Sequence, residues 1–220
     1  MTPAGIGRSG MSREFQLASD GRASLPLHLV EEISHRVVNE YAEAICGLSL
    51  AATGPVGGEL RQALRRAAER LQAHAESHRA LLPPRNAQVN LADYIGTVCA
   101  AFSRATLAQR RVGLVLEADE IWIASDRAWR LGLAAVELIR NAARHGLQGR
   151  GGVIWVQVMR SCGDVICLVN DDGAVPARRA PGRGTALVQA LAGELGGTVE
   201  WRTGEPGCLA CLRIPAEAGA

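Results

Sequence analysis

Four places in the sequence hold residue types at spacings that could do chemistry. His35 lies in the run LVEEISHRVVNEY, with Glu32 one helical turn before it and Asn39 one turn after. A histidine side chain is partly neutral at pH 7 and can act as a nucleophile, and Glu32 or Asn39 could fix its ring and tautomer. Glu137, Asn141 and His145 recur every four residues and so share one stripe of a helix. A carboxylate and an amide on adjacent turns can hold Mg²⁺ or its waters, which prefer hard oxygen ligands. Asp171 ends an apolar run, with Gly173 two residues later. A carboxylate leaving a buried strand can accept a hydrogen bond from an adenine amino group while the glycine keeps the backbone close. Gly182, Gly184 and Thr185 stand at the head of a helical stretch, where backbone N–H groups and the helix dipole can meet a phosphate.

Each of these has a plainer reading beside it. A solvated helix face often carries a histidine, and a polar stripe is often only a polar edge. Asp-Gly is a common turn pair. The arginines at 178, 179 and 183 either offer cations to a phosphate or form a solvated basic loop. His78 falls in line with Leu60, Leu64 and Leu71, so it and His74 read as bundle-end core residues without chemistry.

The elements that must position these residues change character near Pro83-Pro84. Before it, two helices are expected, from about Ser24 to Ala52 and from about Gly58 to Leu82, with the breaker ATGPVGG between them. Such a pair must run antiparallel. On the first, Val30, Ser34, Val37, Tyr41, Ala44, Ile45 and Leu48 share one face, while His28, Glu32, His35, Asn39 and Cys46 share the other. Neither helix can bury its stripe alone, and a homodimeric four-helix bundle is the simplest remedy. After Pro84 helices are expected over 91–109, 126–145 and 185–195, with strands near 88–90, 112–116, 121–124, 153–160, 165–170, 198–202 and 208–214. That alternation indicates an α+β chain ending in an α/β sandwich with a mixed sheet. Residues 1–22 read as a disordered tail, 23–84 as the hairpin and 85–217 as the sandwich.

Composition narrows the chemistry further. All 24 basic residues of the 220 are arginine, which excludes Schiff-base lysine chemistry, a Walker-type P-loop and a kinase of the Ser/Thr/Tyr type. A net charge of +2 with mixed signs argues against nucleic acid and membrane surfaces as partners. No stretch reaches the roughly 20 apolar residues that span a bilayer, and no signal-peptide core is present, so membrane insertion is not expected. Six cysteines without scaffold density read as buried free thiols in a reduced, cytoplasmic protein. Cys208 and Cys211 form the one CxxC, whose spacing on a strand points the two thiols to opposite faces.

The run His35-Arg36-Val37-x-Asn39 resembles the phosphoacceptor motif of HisKA_2/HWE-type histidine kinases. VELIRNAARHG resembles the N-box of the GHKL ATPase superfamily, which includes histidine kinase catalytic domains. Asn170-Asp171-Asp172-Gly173 is similar to the G1 box, with Val175 where that box has its second glycine. GRGTALVQALAGELGGTVEW is similar to the G2 box and its following strand, and only ten residues separate Gly173 from Gly184, where the family usually carries a longer ATP lid. The four motifs occur in family order between about Leu27 and Pro215. The resemblance implies a dimerisation and phosphotransfer hairpin followed by a GHKL-type ATP-binding domain, with ATP and Mg²⁺ as cofactors. It implies that His35 is phosphorylated, that Glu137 lies beside the γ-phosphate and that Asn141 ligates Mg²⁺. Asp171 and Gly173 would hold adenine, and Gly182, Gly184 and Thr185 the phosphates. The implied function is a two-component histidine kinase core, passing phosphate to the aspartate of a response-regulator receiver domain. The short lid and Val175 point to an alternative, an ATP-independent phosphotransferase or scaffold with a degenerate nucleotide site. A GHKL kinase acting on a partner serine fits less well, because it needs no phosphoacceptor helix.

Overall fold

A computed structural model describes residues 27–174, 182–204 and 207–216, with side chains from residue 32 onward. The N-terminal tail, Val175, Arg178 and Arg179 lie outside the described residues. Helix α1 (Leu27–Thr53) and helix α2 (Gly58–Ala80) form the expected hairpin around the Gly-Pro turn. Arg61 closes that turn by donating to the carbonyls of Ala52 and Val56, at 3.1 and 3.2 Å. The buried seam of the hairpin runs through Val38 and Ala52 on α1 and Ala68 and Ala75 on α2. Each pair is separated by a multiple of seven residues, the repeat of paired helices. Ser34, Val37, Tyr41, Ile45 and Leu48 are only half-buried and Ala44 is exposed, so the seam is rotated from the face read off the periodicity. Short alanines set the seam because they let the two backbones approach.

Strand β1 (Gln88–Asn90) pairs antiparallel with β3 (Trp122–Ala124) in a small two-stranded sheet. Between them lie helix α3 (Leu91–Phe102) and strand β2 (Val112–Ala118). Helix α3 does not run regularly to residue 109. It widens into a π turn over Ser103–Leu107, tightens into a 3₁₀ turn and ends at Arg111, whose φ is 55°. The widened turn buries Ala105 and Leu107 together.

Helix α4 (Ser125–Asn141) is followed by β4 (Gly152–Ser161), β5 (Asp164–Asp171), α5 (Arg183–Glu194), β6 (Thr198–Thr203) and β7 (Cys208–Pro215). The main sheet has order β2-β4-β5-β7-β6, with β2 parallel to β4 and every other neighbour antiparallel. Alternate residues of β4, β5 and β7, such as Ile154, Val156, Cys167, Val169 and Leu212, point under the helices and are buried. They meet Leu91, Ile95, Leu131, Leu138 and Ile139 of α3 and α4 in one continuous core. The mixed sheet with helices on one face is the sandwich that the alternation of elements implied.

Hydrogen bonds fasten the hairpin's exit to α4. The Trp129 indole N–H donates to the Leu81 carbonyl at 3.0 Å, and the Ser125 hydroxyl donates to the Asn86 carbonyl. Arg127 reaches the far end of the chain, donating to the Pro215 carbonyl at 2.5 Å.

Candidate active site

Helix α4 is amphipathic, and its buried face (Leu131, Ala135, Leu138, Ile139) fixes which way the remaining residues turn. Asn141 faces the sheet across a narrow cleft, and Glu137 faces the start of α5. Past Asn141 the helix widens into a π turn, Ala142–Gly146, so His145 does not continue the α-helical stripe, although it still lines the same narrow cleft. The cleft is bounded by Leu138, Asn141 and Gly146 from α4 and its π turn, and by Val169, Asp171 and Cys208 from the sheet. The Asn141 side-chain nitrogen is buried and has no hydrogen-bond partner.

Asp171, the last residue of β5, is 2% exposed. The Gly173 N–H donates to its Oδ1 at 3.0 Å. Next to it the Asp172 carboxylate accepts from the Val153 N–H at 2.9 Å, which ties the loop after β5 to β4. Three glycines wall the Asp171 carboxylate and its backbone. A Cβ at Gly146 would overlap the carboxylate itself, one at Gly173 would overlap the Gly146 backbone, and one at Gly207 would overlap the Asp171 carbonyl. These glycines let the chain close tightly around the Asp171 carboxylate, at one end of the cleft that Asn141 also lines. Gly146 and Gly207 escape a reading of the sequence because they look like ordinary turn glycines; what requires them arrives from β5, far along the chain.

Glu137 sits where α5 begins. A Cβ at Gly184 would overlap the Glu137 carboxylate, so this glycine lets the first turn of α5 pass against it. Gly182 is the N-cap of α5, Arg183 is exposed in its first turn, and Thr185 is half-buried. The open N–H groups of that turn therefore lie close to the Glu137 carboxylate. Glu137 is also ion-paired with Arg140 at 2.8 Å and is 13% exposed. Among the described residues no group of three or more His, Cys, Asp or Glu side chains could hold a metal alone. Asn141 and Glu137 fit Mg²⁺ in a different sense, as hard oxygen donors for an ion that keeps water and phosphate ligands as well.

His35 stands apart from this cleft, on the exposed side of α1. Glu32 pairs with Arg36 at 2.9 Å rather than with His35, so a carboxylate–imidazole contact from Glu32 is not formed. Asn39 is exposed and makes no hydrogen bond to His35. His78 is exposed rather than buried, with its ring 5.5 Å from that of Tyr41, because the hairpin seam passes through Ala75 beside it. Of the cysteines, Cys99, Cys167 and Cys208 are buried, whereas Cys46 and Cys162 are exposed, so the thiols are not uniformly core residues. Burial pushes the thiols of Cys99 and Cys167 up to about 12. Cys208 and Cys211 face opposite sides of β7, as their spacing requires.

Residues 32–106 match the sequence model of the family HisKA_2, histidine kinase. No curated protein matches the chain in sequence. Among solved structures, the chain is similar to the histidine kinase domain of the blue-light activated histidine kinase EL346 from Erythrobacter litoralis. Identity is 18% and the TM-score 0.57, over 82% of this chain and 94% of that one. It is similar in fold to a bacterial phosphotransferase (15% identity, TM-score 0.58, 86% and 96% covered). Full-length ShkA in complex with AMPPNP shares 15% identity and a TM-score of 0.50, over 89% of this chain and 47% of that one. The hairpin followed by a mixed five-stranded sheet is a fold this chain shares with that histidine kinase domain. No helix among the described residues is long and apolar enough to cross a membrane.

Proposed function

We propose, from the premise that residues 32–106 are a HisKA_2 histidine kinase segment, that this chain is the core of a two-component histidine kinase. It binds ATP, transfers the terminal phosphoryl group to His35, and passes that group to an aspartate of a response-regulator receiver domain. The observation that carries this reading is the glycine-walled, buried Asp171 carboxylate beside Asn141, in the same chain as an exposed histidine on the family-matched helix.

Asp171 accepts from the adenine amino group in the cleft, with Gly173 keeping the backbone close. The α5 start at Gly182, Gly184 and Thr185 takes the phosphates on its open N–H groups. Mg²⁺, when bound with ATP, would be held by Asn141 with Glu137 nearby and would neutralise charge on the phosphates. The protein's share of catalysis is then positioning and electrostatic stabilisation. The His35 ring nitrogen forms the new N–P bond as the bond to the ADP oxygen breaks, and the ring's displaced proton leaves to solvent. His35 must be carried to the phosphate, in the same chain or across a dimer. A hairpin that leaves Ile33, Leu50 and Leu60 largely exposed supports dimerisation through residues 23–84, with residues 85–217 as the ATP-binding domain. A cytoplasmic location accords with this role.

Calorimetric titration with AMPPNP and Mg²⁺ tests the nucleotide half of the reading. Saturable binding by the wild type that is lost in Asn141→Ala supports it. Absence of binding in the wild type contradicts it and leaves an ATP-independent phosphotransferase.

A further inference from the structure

Strand β2 ends the main sheet, and among the described residues no strand pairs with its outer edge. The Gly152 N–H donates to the Arg111 carbonyl at 3.4 Å, and the Asp119 N–H donates to the Val158 carbonyl at 2.9 Å. Backbone groups alternate along a strand, so Gly113, Val115 and Glu117 also turn theirs to β4, while Leu114 and Leu116 turn theirs to the open edge. Edge strands of monomers are usually blunted by charge, proline or a bulge. β2 has neither proline nor bulge, and Glu117 is its only charge. On the face of the sheet away from the helices, Val115 is 42% exposed and stands beside Trp155 of β4, which is 39% exposed.

The residues around the strand narrow the occupant to a second copy of this chain. Arg110 and Arg111 precede β2, and Asp119 and Glu120 follow it, all four exposed. Among the described residues no ion pair engages any of them. We propose that two copies pair their β2 strands antiparallel about a two-fold axis at Val115, joining the two sheets edge to edge. This alignment sets Arg110 and Arg111 of each copy toward Glu120 and Asp119 of the other, and it is the one antiparallel register that matches both arginines to both acids. Leu114 and Leu116 then exchange their open N–H and C=O groups across the axis. Val115 meets its own copy in a pair without hydrogen bonds, where side chains come closest. The exposed Trp155 extends this apolar contact on each side. Glu117 falls opposite Gly113, so no like charges oppose each other. The contact is separate from the hairpin and does not depend on the kinase reading.

Cross-linking of the full chain tests this. In a background with the exposed Cys46 and Cys162 changed to Ser, Val115→Cys and Glu117→Cys each add one exposed thiol on the same face of β2. With oxidised glutathione present, Val115→Cys should form a disulfide-linked dimer about tenfold faster than Glu117→Cys, because only the residue on the axis meets its own copy at disulfide distance. A dimer held through the hairpin alone gives no such preference. Adding Arg110→Glu to Val115→Cys should slow the cross-link about three- to tenfold by setting acid against acid, and adding Glu120→Arg as well should restore it. Neither cysteine position lies in the core, and equal unfolding midpoints check that the fold is kept. Equal rates at the two positions overturn the proposal. So does a Val115→Cys rate that ignores the charge at residue 110, or one that Glu120→Arg fails to restore.

Discussion

At the scale of single residues, Asp171 carries most of the specificity in the proposed nucleotide site. It is the one carboxylate among the described residues held at 2% exposure, and glycines at 146, 173 and 207 let the chain close around it. Asp171→Asn keeps the size and removes the charge. It should weaken nucleotide binding by about 1.5–3 kcal/mol, roughly 10- to 100-fold, the usual worth of a hydrogen bond to a charged group. Fluorescence titration with a nucleotide analogue measures this, with the unfolding midpoint as a control for folding. The thiols separate in the same local way. Cys46 and Cys162 are exposed, while Cys99 and Cys167 are buried and raised to about 12, so few of their molecules carry the reactive thiolate. A thiol reagent should label Cys46 and Cys162 in the native protein, and Cys99 and Cys167 only after unfolding.

At the scale of elements, helix types and order were legible because apolar residues recur with helical or strand period and Gly and Pro punctuate them. What was not legible depends on contacts far apart in sequence. The Asp171 carboxylate was visible as a strand end, but its walls come from the π turn at Gly146 and the loop before β7 at Gly207, which nothing local in the sequence marks. The exposure of His78 was missed for a similar reason. Helical phase gives a stripe, but the alanine seam that decides which part of it is covered depends on the partner helix. Two predictions belong to this scale. Trp129→Phe removes the donor to the Leu81 carbonyl, so it should cost about 1 kcal/mol and lower the unfolding midpoint by about 2–4 °C. Amide exchange should quicken at the end of α2. His78 supplies the pH dependence. Its folded form takes up a proton less readily than the unfolded chain, so on acidification protons favour unfolding. Its contribution is intact above its ordinary value of 6.5 and is lost as pH falls from there toward the lower folded value. The wild type should therefore lose more thermal stability than His78→Gln between about pH 7 and 5.5, measured by parallel melts.

At the scale of the whole molecule, the proposed reaction joins two structures that must meet, the hairpin and the sandwich. The hairpin presents His35 to solvent, whereas Asn141 and Asp171 line a cleft of the sandwich, with the α5 start against Glu137 one turn before Asn141. The bonds from Trp129 and Ser125 fix where the hairpin leaves the sandwich, and Arg104 and Arg140 line the seam. Transfer therefore requires either a swing of the hairpin within one chain or the partner's cleft in a dimer. The absence of lysine means that any cation meeting the phosphates, Arg183 included, is an arginine, whose planar fork suits phosphate oxygens. The most direct test of the central claim is incubation with γ-labelled ATP and Mg²⁺, with wild type, His35→Ala and Asn141→Ala side by side. The account predicts acid-labile label on the wild type and on neither variant. Label that persists in His35→Ala, or a wild type that binds nucleotide yet takes no label, would contradict it.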